Sequence, residues 1–492
     1  MNELSLNPDQ IDQLVKSVIG RLSQGASSQF PQKTTHRSTP TPLSQKETPT
    51  QKASPAFSSR GVFSDIDLAV DASKKAYPAW VSLRLEHRKK IIEKLREKLR
   101  ASLQWMSEEA VNETGLGRID DKIKKNLLVI DKTPGPEILL PEVFTGDDGL
   151  ALVEYASFGV LGSITPTTNC TETIINNGIS ILSAGNSVVF NPHPSAKGVC
   201  AKTVSVMNDV IIQNGGPENV ITVLRDPTID SAKALMKHPD IRLMVVTGGP
   251  GVVREAMLSG KKVIGAGPGN PPVVVDETAD LAKAARDIIS GASLDNNIVC
   301  IVEKEIIAVD AIADELSKLL QTFGAYKLSA EQTRRLEKVV IDGSYPNKKF
   351  VGKNAGKILA EIGVPAGDEL RLIFAEVPED HPFVQIELLM PVIGFVRTPN
   401  VHAAIEMAKR VEHSYGHTAV MHSRHIGHLD KMARAINTSI FVKNAPSYAG
   451  LGMGGEGFTS FTIASPTGEG MTTAKSFSRL RRCTLKDHYR IV

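Results

Sequence analysis

Three side chains in this 492-residue chain have the right types to work on a carbonyl group. Cys300, in Asp295-Asn-Asn-Ile-Val-Cys300-Ile-Val, offers a thiol, and a thiolate attacks carbonyl carbon once a local field or a base removes its proton. Taken alone, a cysteine after Ile-Val reads as a small core residue. Asn169 closes Thr165-Pro-Thr-Thr-Asn169, where an asparagine either occupies a turn or aims its amide at a developing oxyanion. His417, in Gly416-His-Thr-Ala419, carries an imidazole that titrates near neutral pH. It can take a proton from a thiol, or it can be structural, bonded to a carbonyl. A fourth motif, Val246-Thr-Gly-Gly-Pro-Gly251, has the composition of a strand-to-helix turn whose N–H groups meet phosphate oxygens. Thr247, Gly248 and Gly249 are its candidates, although the spacing is not GxGxxG and a plain turn fits as well.

Such groups have to be held by regular elements, and from about residue 62 the chain alternates strand-like and helical segments. Short apolar runs at 187–190, 220–224 and 243–247 end in polar or glycine-rich turns, as buried parallel strands do. Helical stretches at 88–102, 196–212 and 228–237 separate or precede them, and a helix is expected to begin near Val252. A second alternating block has strands near 273–275, 306–309, 393–397, 419–422 and 440–443. This βαβ rhythm predicts an α/β protein with two doubly wound domains, and no internal repeat is present.

The first sixty residues are a separate object. Ile11, Leu14, Val15, Val18, Ile19 and Leu22 fall on one helical stripe, and Asn7, Pro8 and Gln10 suit the start of that helix. Residues 25–58 are Ser, Thr, Gln, Pro and Lys with almost no aliphatics, a composition that cannot build a core. The expectation is a targeting helix at 1–24 on a disordered linker at 25–58, with the stripe at 7–22 meeting another protein. A helix docking on its own catalytic body is the alternative.

Composition excludes several classes. The hydrophobic fraction of 41% and charged fraction of 23% are ordinary for a globular protein, and a net charge of +3 without a basic block does not predict nucleic-acid binding. Four cysteines without CxxC spacing predict neither a disulfide framework nor a zinc site, and the histidines show no metal-ligand spacing, so no metal is expected. No apolar run approaches the roughly 18 residues of a membrane span, and no secretory signal is legible. A cytoplasmic protein without membrane association is the expectation.

Several motifs in order resemble the aldehyde dehydrogenase superfamily, and in particular its CoA-acylating branch of ethanolamine-pathway acetaldehyde and propanediol-pathway propionaldehyde dehydrogenases. They include Thr171-Glu-Thr-Ile-Ile-Asn-Asn177, Ala184-Gly-Asn-Ser187, Gly265-Ala-Gly-Pro-Gly-Asn-Pro-Pro272, Val274-Val-Asp-Glu-Thr-Ala-Asp280, Gly416-His-Thr-Ala419, Thr438-Ser-Ile-Phe-Val-Lys-Asn444 and Pro466-Thr-Gly-Glu-Gly470. The resemblance covers nearly all of residues 62–492. It implies that the Cys300 thiolate adds to an aldehyde, that the adduct's carbon gives hydride to NAD and leaves a thioester, that Asn169 and the Cys300 N–H hold the oxyanion, and that His417 serves as base. It also implies cofactor binding at Thr165, His193, Pro194, Thr247, Gly248, Gly249, Gly265 and Glu387, the last at the nicotinamide ribose. Hydrolytic members carry a glutamate where this chain has Gly265, so the acyl group is expected to pass to coenzyme A instead.

Two further departures are visible. Cys170 replaces a proline that often follows the asparagine, which places a second thiol near the site. His193 and Ala196 stand where members preferring NAD often have lysine and glutamate, which predicts some tolerance of NADP. The resemblance further implies a short aliphatic aldehyde as substrate, a bacterial microcompartment shell protein as partner of residues 7–22, and a homo-oligomer, dimer or tetramer. The implied fold is aldehyde dehydrogenase-like: a nucleotide-binding domain at 62–265, with an oligomerisation hairpin near 146–157, a catalytic thiol domain at 266–450 and a C-terminal return at 451–492. The rival functions are a hydrolytic aldehyde dehydrogenase and a mainly structural, shell-binding cargo protein.

Overall fold

A computed structural model of the chain describes residues 59–491. The helix expected at 7–22 and the linker expected at 25–58 lie outside the described residues. The first sheet has six strands, all parallel, in the order Val62–Phe63, Ile221–Leu224, Ser187–Pro192, Val160–Thr165, Ile241–Thr247 and Lys262–Ala266. The order reverses beside Val160–Thr165, which makes the carboxyl ends of the central strands a ligand crevice. Successive residues of one strand serve opposite faces. Val188 and Phe190 pack with Ile174, Ile175, Val204 and Met207, whereas Val189 packs with Ile66, Val70 and Leu235. Helices therefore cover both faces, and this is why the strands read as continuous aliphatic runs.

The second sheet has seven parallel strands in the order Tyr326–Lys327, Ile373–Glu376, Val392–Thr398, Glu305–Val309, Pro272–Val275, Thr418–His422 and Ile440–Lys443. Its residues alternate likewise: Val273, Ile306 and Phe395 join the core shared with the first sheet, and Val274, Ile307 and Val396 face Val401, Ile405 and Met432. The architecture is α/β and doubly wound, as expected.

Element ends move by up to three residues. The helix expected from 88 is Leu85–Arg100, and the one expected near Val252 is Pro250–Met257, started by a proline at its first position. The expected hairpin at 146–157 is the second arm of a longer one. Its strands are Glu142–Gly146 and Gly149–Ala156, with Arg479–Lys486 pairing antiparallel to the latter. The first arm was illegible because four of its five residues are exposed and leave no burial pattern. Among the described residues no helix is long and apolar enough to cross a membrane.

Candidate functional site

The chain reaches Cys300 through an uncommon turn. After the helix Leu281–Ala292, Asp295, Asn296 and Asn297 all adopt left-handed backbone, with φ of 49°, 55° and 66°. That conformation opposes L-residues by roughly 1–2 kcal/mol each, least for Asp and Asn, whose short polar chains bond locally. All three side chains are engaged. Asp295 accepts from Arg118 N at 2.7 Å and from Lys122 and Lys125 Nζ at 3.0 and 2.6 Å. Asn296 donates to Gly352 O and Asn354 Oδ1 at 2.9 and 2.8 Å. Asn297 donates to Ala292 O and Glu303 O at 2.6 and 3.0 Å and accepts from Lys304 Nζ at 2.8 Å. The turn is thus pinned on every side, and it delivers Cys300 to a position that keeps partial solvent access.

Asn169 immediately precedes the helix Cys170–Ser183, all fourteen residues of which are buried. Its side chain does not cap that helix. Instead its Oδ1 accepts from Lys125 Nζ at 2.7 Å, and among the described residues its Nδ2 has one partner, Thr168 Oγ1, at a long 3.4 Å. An amide nitrogen so weakly engaged is available to a developing oxyanion.

The glycine-rich run carries the chain from the first sheet to the thiol. Gly265 is the penultimate residue of the last strand of that sheet; its N–H donates to Thr467 Oγ1 at 3.0 Å, and a Cβ there would lie 3.0 Å from Val253 Cγ1. Four residues on, a Cβ at Gly269 would lie 2.8 Å from the Cys300 carbonyl oxygen and 3.0 Å from His417 Cγ. Only glycine permits that three-way approach, so Gly269, Cys300 and His417 are direct neighbours. Asn270 anchors the run by donating to Val384 O and Val411 O at 2.9 and 2.8 Å.

Electrostatics at the thiol are set by burial, Glu387, Lys304 and Lys125. Burial pushes the Cys300 thiol up to about 12, Glu387 adds to the rise, and Lys304 opposes it. Burial raises Glu387 to about 7 against the pull of Lys304, whose Nζ lies 3.9 Å from Glu387 Oε1. Lys304 is lowered by burial while Glu387 supports its charge. His417 is lowered to about 4 by burial and by Lys304, so it is neutral at working pH. Its Nδ1 shares a hydrogen bond of 2.9 Å with Thr418 Oγ1, and its Nε2 is buried without a partner among the described residues. With Nδ1–H donating, Nε2 is left as an acceptor inside the site.

The remaining candidates line the strand ends of the first sheet. Thr165 ends its central strand, with Oγ1 buried and unpartnered among the described residues. His193 and Pro194 follow the neighbouring strand, exposed, and His193 N donates to Thr165 O at 3.0 Å. Thr247 ends the strand on the other side, where its hydroxyl meets Thr462 Oγ1 at 3.0 Å. Gly248 N donates to Ala266 O, and around Gly249 the space is open where a Cβ would sit. Thr165, Pro192-His193, Thr247-Gly248 and Ala266 therefore share one edge, from which Asn169 and the glycine run lead to Cys300. The thiol of Cys170 is fully buried and turned to Cys200, so it packs rather than competes.

Lys122, Lys125, Glu172, Asp295, Lys304 and Thr467 were not found from the sequence. A signal existed for the first two: Lys122, Lys125 and Val129 fall at i, i+3 and i+7, and all three are buried in the helix Ile119–Lys132. Lysines on the inner stripe of a helix require acidic partners, and those come from residues far along the chain.

Comparison with known proteins identifies the family. The family model for the aldehyde dehydrogenase family matches residues 44–340. The acetaldehyde dehydrogenase (acetylating) of Salmonella typhimurium is 49% identical over 439 residues, covering 88% of this chain and 94% of that protein. The structure of Rhodopseudomonas palustris propionaldehyde dehydrogenase with bound CoA and an acylated cysteine superposes with a TM-score of 0.86 at 48% identity, over 87% of this chain and 98% of that one. A propionaldehyde dehydrogenase from the fucose utilisation microcompartment of Clostridium phytofermentans gives a TM-score of 0.87 at 46% identity, over 88% and 100%.

Proposed function

The chain belongs to the aldehyde dehydrogenase family, and on that premise we propose that it converts a short aldehyde, CoA and NAD⁺ to acyl-CoA, NADH and a proton through a thioester on Cys300. The observation that carries the direction of acyl transfer is Gly265. Hydrolysis needs a base beside the thioester, and here the position has no side chain and is closed in by Val253 and Thr467. Acetaldehyde and propionaldehyde are the substrates to test first.

The chain's residues suit the nucleotides. The turn before the helix Pro250–Met257 is open at Gly249 and offers that residue's N–H to phosphate, and the unpartnered Thr165 hydroxyl and the Glu387 carboxylate offer bonds to ribose. Lys348 is close enough to His193 to hold its pKa down after burial has done so. That positive charge, and the lack of a carboxylate at Ala196, support tolerance of a 2′-phosphate. When bound, the nicotinamide supplies the hydride acceptor. Cys300 adds to the carbonyl carbon, and the Asn169 amide with the Cys300 N–H carries the oxyanion. His417 Nε2 takes a proton from the thiol of Cys300 or of CoA. The field of Lys304 favours the Cys300 thiolate while it disfavours a charged His417, so His417 serves as a neutral acceptor that passes the proton on.

NADH formation from propionaldehyde with and without CoA tests the reading. CoA-dependent turnover with a thioester product is expected. Turnover without CoA that yields carboxylate would overturn it in favour of hydrolysis, and silence under both conditions would favour the cargo reading. Full activity in Cys300→Ala would refute the nucleophile.

The microcompartment origin of one relative supports reading residues 7–22 as an address that binds a shell protein. Deleting residues 1–24 should leave turnover intact and abolish co-purification with shells. The antiparallel sheet exposes Phe144 and Leu480 on one face and Val143 and Leu485 on the other, apolar side chains that support a dimer or tetramer, to be measured by light scattering.

A further inference from the structure

Lys125 is buried and sits at the meeting point of the two halves of the site. Its ammonium donates a hydrogen bond to Asn169 Oδ1 at 2.7 Å and forms ion pairs with Asp295 Oδ2 at 2.6 Å and Glu172 Oε1 at 2.9 Å. One of these oxygens belongs to the amide proposed to hold the oxyanion, and another to the left-handed turn five residues before Cys300. Lys122, one helical turn earlier, supports the same assembly by donating to Asp295 Oδ2 at 3.0 Å and to Thr168 O at 3.4 Å. The four charges of Lys122, Lys125, Glu172 and Asp295 cancel, which is what allows them to be buried together.

The consequence for Asn169 follows from donor and acceptor chemistry. An amide side chain can be turned over, exchanging its oxygen and nitrogen with little change in shape. An ammonium only donates, so the atom facing Lys125 has to be oxygen, and the nitrogen has to face the other way. Burial alone would depress the lysine, but Asp295 and Glu172 outweigh it and keep the charge in place. Its field also reaches Cys300, where it favours the thiolate.

We infer that Lys125 is a positioning residue for the reaction: it fixes the Asn169 amide with its N–H₂ toward the oxyanion and locks that amide to the turn carrying Cys300. The inference rests on the oxyanion role proposed above for Asn169. It differs from a purely structural role in requiring that the lysine act through the amide.

A double-mutant cycle on the full-length enzyme separates these possibilities. Single-turnover NADH formation and the KM for propionaldehyde are measured for N169A, K125M and N169A/K125M. Loss of the oxyanion donor should lower the rate about 100- to 1,000-fold. K125M should lower it about 10- to 100-fold with little change in KM, because the misdirected amide fails only in the transition state. In the N169A background, K125M should then cost less than about 3-fold. If K125M does not fold, K125M/E172Q, which keeps the cluster neutral, takes its place in the same cycle. Costs that multiply in the double variant would overturn the inference, as would a folded K125M within about 2-fold of the parent. Full activity in N169A would instead overturn the oxyanion reading itself, and with it the basis for a role of Lys125 through that amide.

Discussion

Replacing Glu387 by glutamine should make Cys300 more reactive, even as it removes a proposed cofactor contact. The thiol stands at about 12, so at pH 8 only about one molecule in ten thousand is ionised. After burial, Glu387 is the main reason, and this carboxyl itself titrates at about 7. Repulsion between neighbouring unit charges at an effective dielectric of about 20 is on the order of 2 kcal/mol, a change of about 30-fold in thiolate. Glu387→Gln removes that repulsion and leaves the charge of Lys304 unopposed, which acts in the same direction. The assay is the pseudo-first-order rate of alkylation by iodoacetamide between pH 6 and 9. It uses a Cys483→Ser background, since Cys483 is the exposed thiol and Cys170 and Cys200 are buried. At pH 8.5 the rate should rise by about 30-fold. At pH 6 Glu387 is already protonated and the gain should fall to nearly nothing. A gain of equal size at both pH values, or a slower reaction at pH 8.5, would refute the electrostatic account of the thiol.

Other consequences are simpler to state. Gly269→Ala puts a Cβ 2.8 Å from the Cys300 carbonyl and 3.0 Å from His417 Cγ. It should lower kcat by about 10- to 100-fold for a modest loss of Tm, and an unchanged kcat would contradict the close approach. Asp295→Asn leaves Lys122 without its carboxylate and should destabilise the fold by about 3–5 kcal/mol in urea titration; a loss below about 1 kcal/mol would mean the pair is not buried as described. Glu303 is raised by burial from 4.5 to about 7, partly offset by bonds from Ser447 N and Oγ at 2.8 and 2.7 Å. Between those values the unfolded chain is ionised at this position and the folded chain is not. Its contribution is therefore fully present below about 4.5 and is lost as pH rises through about 7, by about 3 kcal/mol. Glu303→Gln should flatten the fall in stability between pH 5 and 7, and an unchanged pH profile would count against a buried neutral carboxyl.

The parallel strands, their order along the chain and the glycine and asparagine motifs at their ends were legible in the residues, because each depends on a local pattern. Aliphatic runs of four to seven residues become strands wherever both faces of a sheet are covered; the left-handed turn at Asp295-Asn-Asn297 was not read from the sequence, although Asp and Asn tolerate that backbone best. Cys300, Asn169 and the missing carboxylate at Gly265 were marked instead by the resemblance of the ordered motifs to the aldehyde dehydrogenase superfamily, since Cys300 alone reads as a core residue. What only the tertiary structure decided is the charge environment that orients and ionises them. Lys125 is 44 residues from Asn169 and 170 from Asp295 in sequence; helical spacing separates it from the exposed Lys124 beside it, but nothing local names its partners. Lys304, Glu387 and His417 come from separate elements, and their protonation states exist only once burial and one another's fields act together. Local pattern specifies which groups a chain carries, whereas the distances between them, and therefore their electrostatics, are a property of the packed molecule.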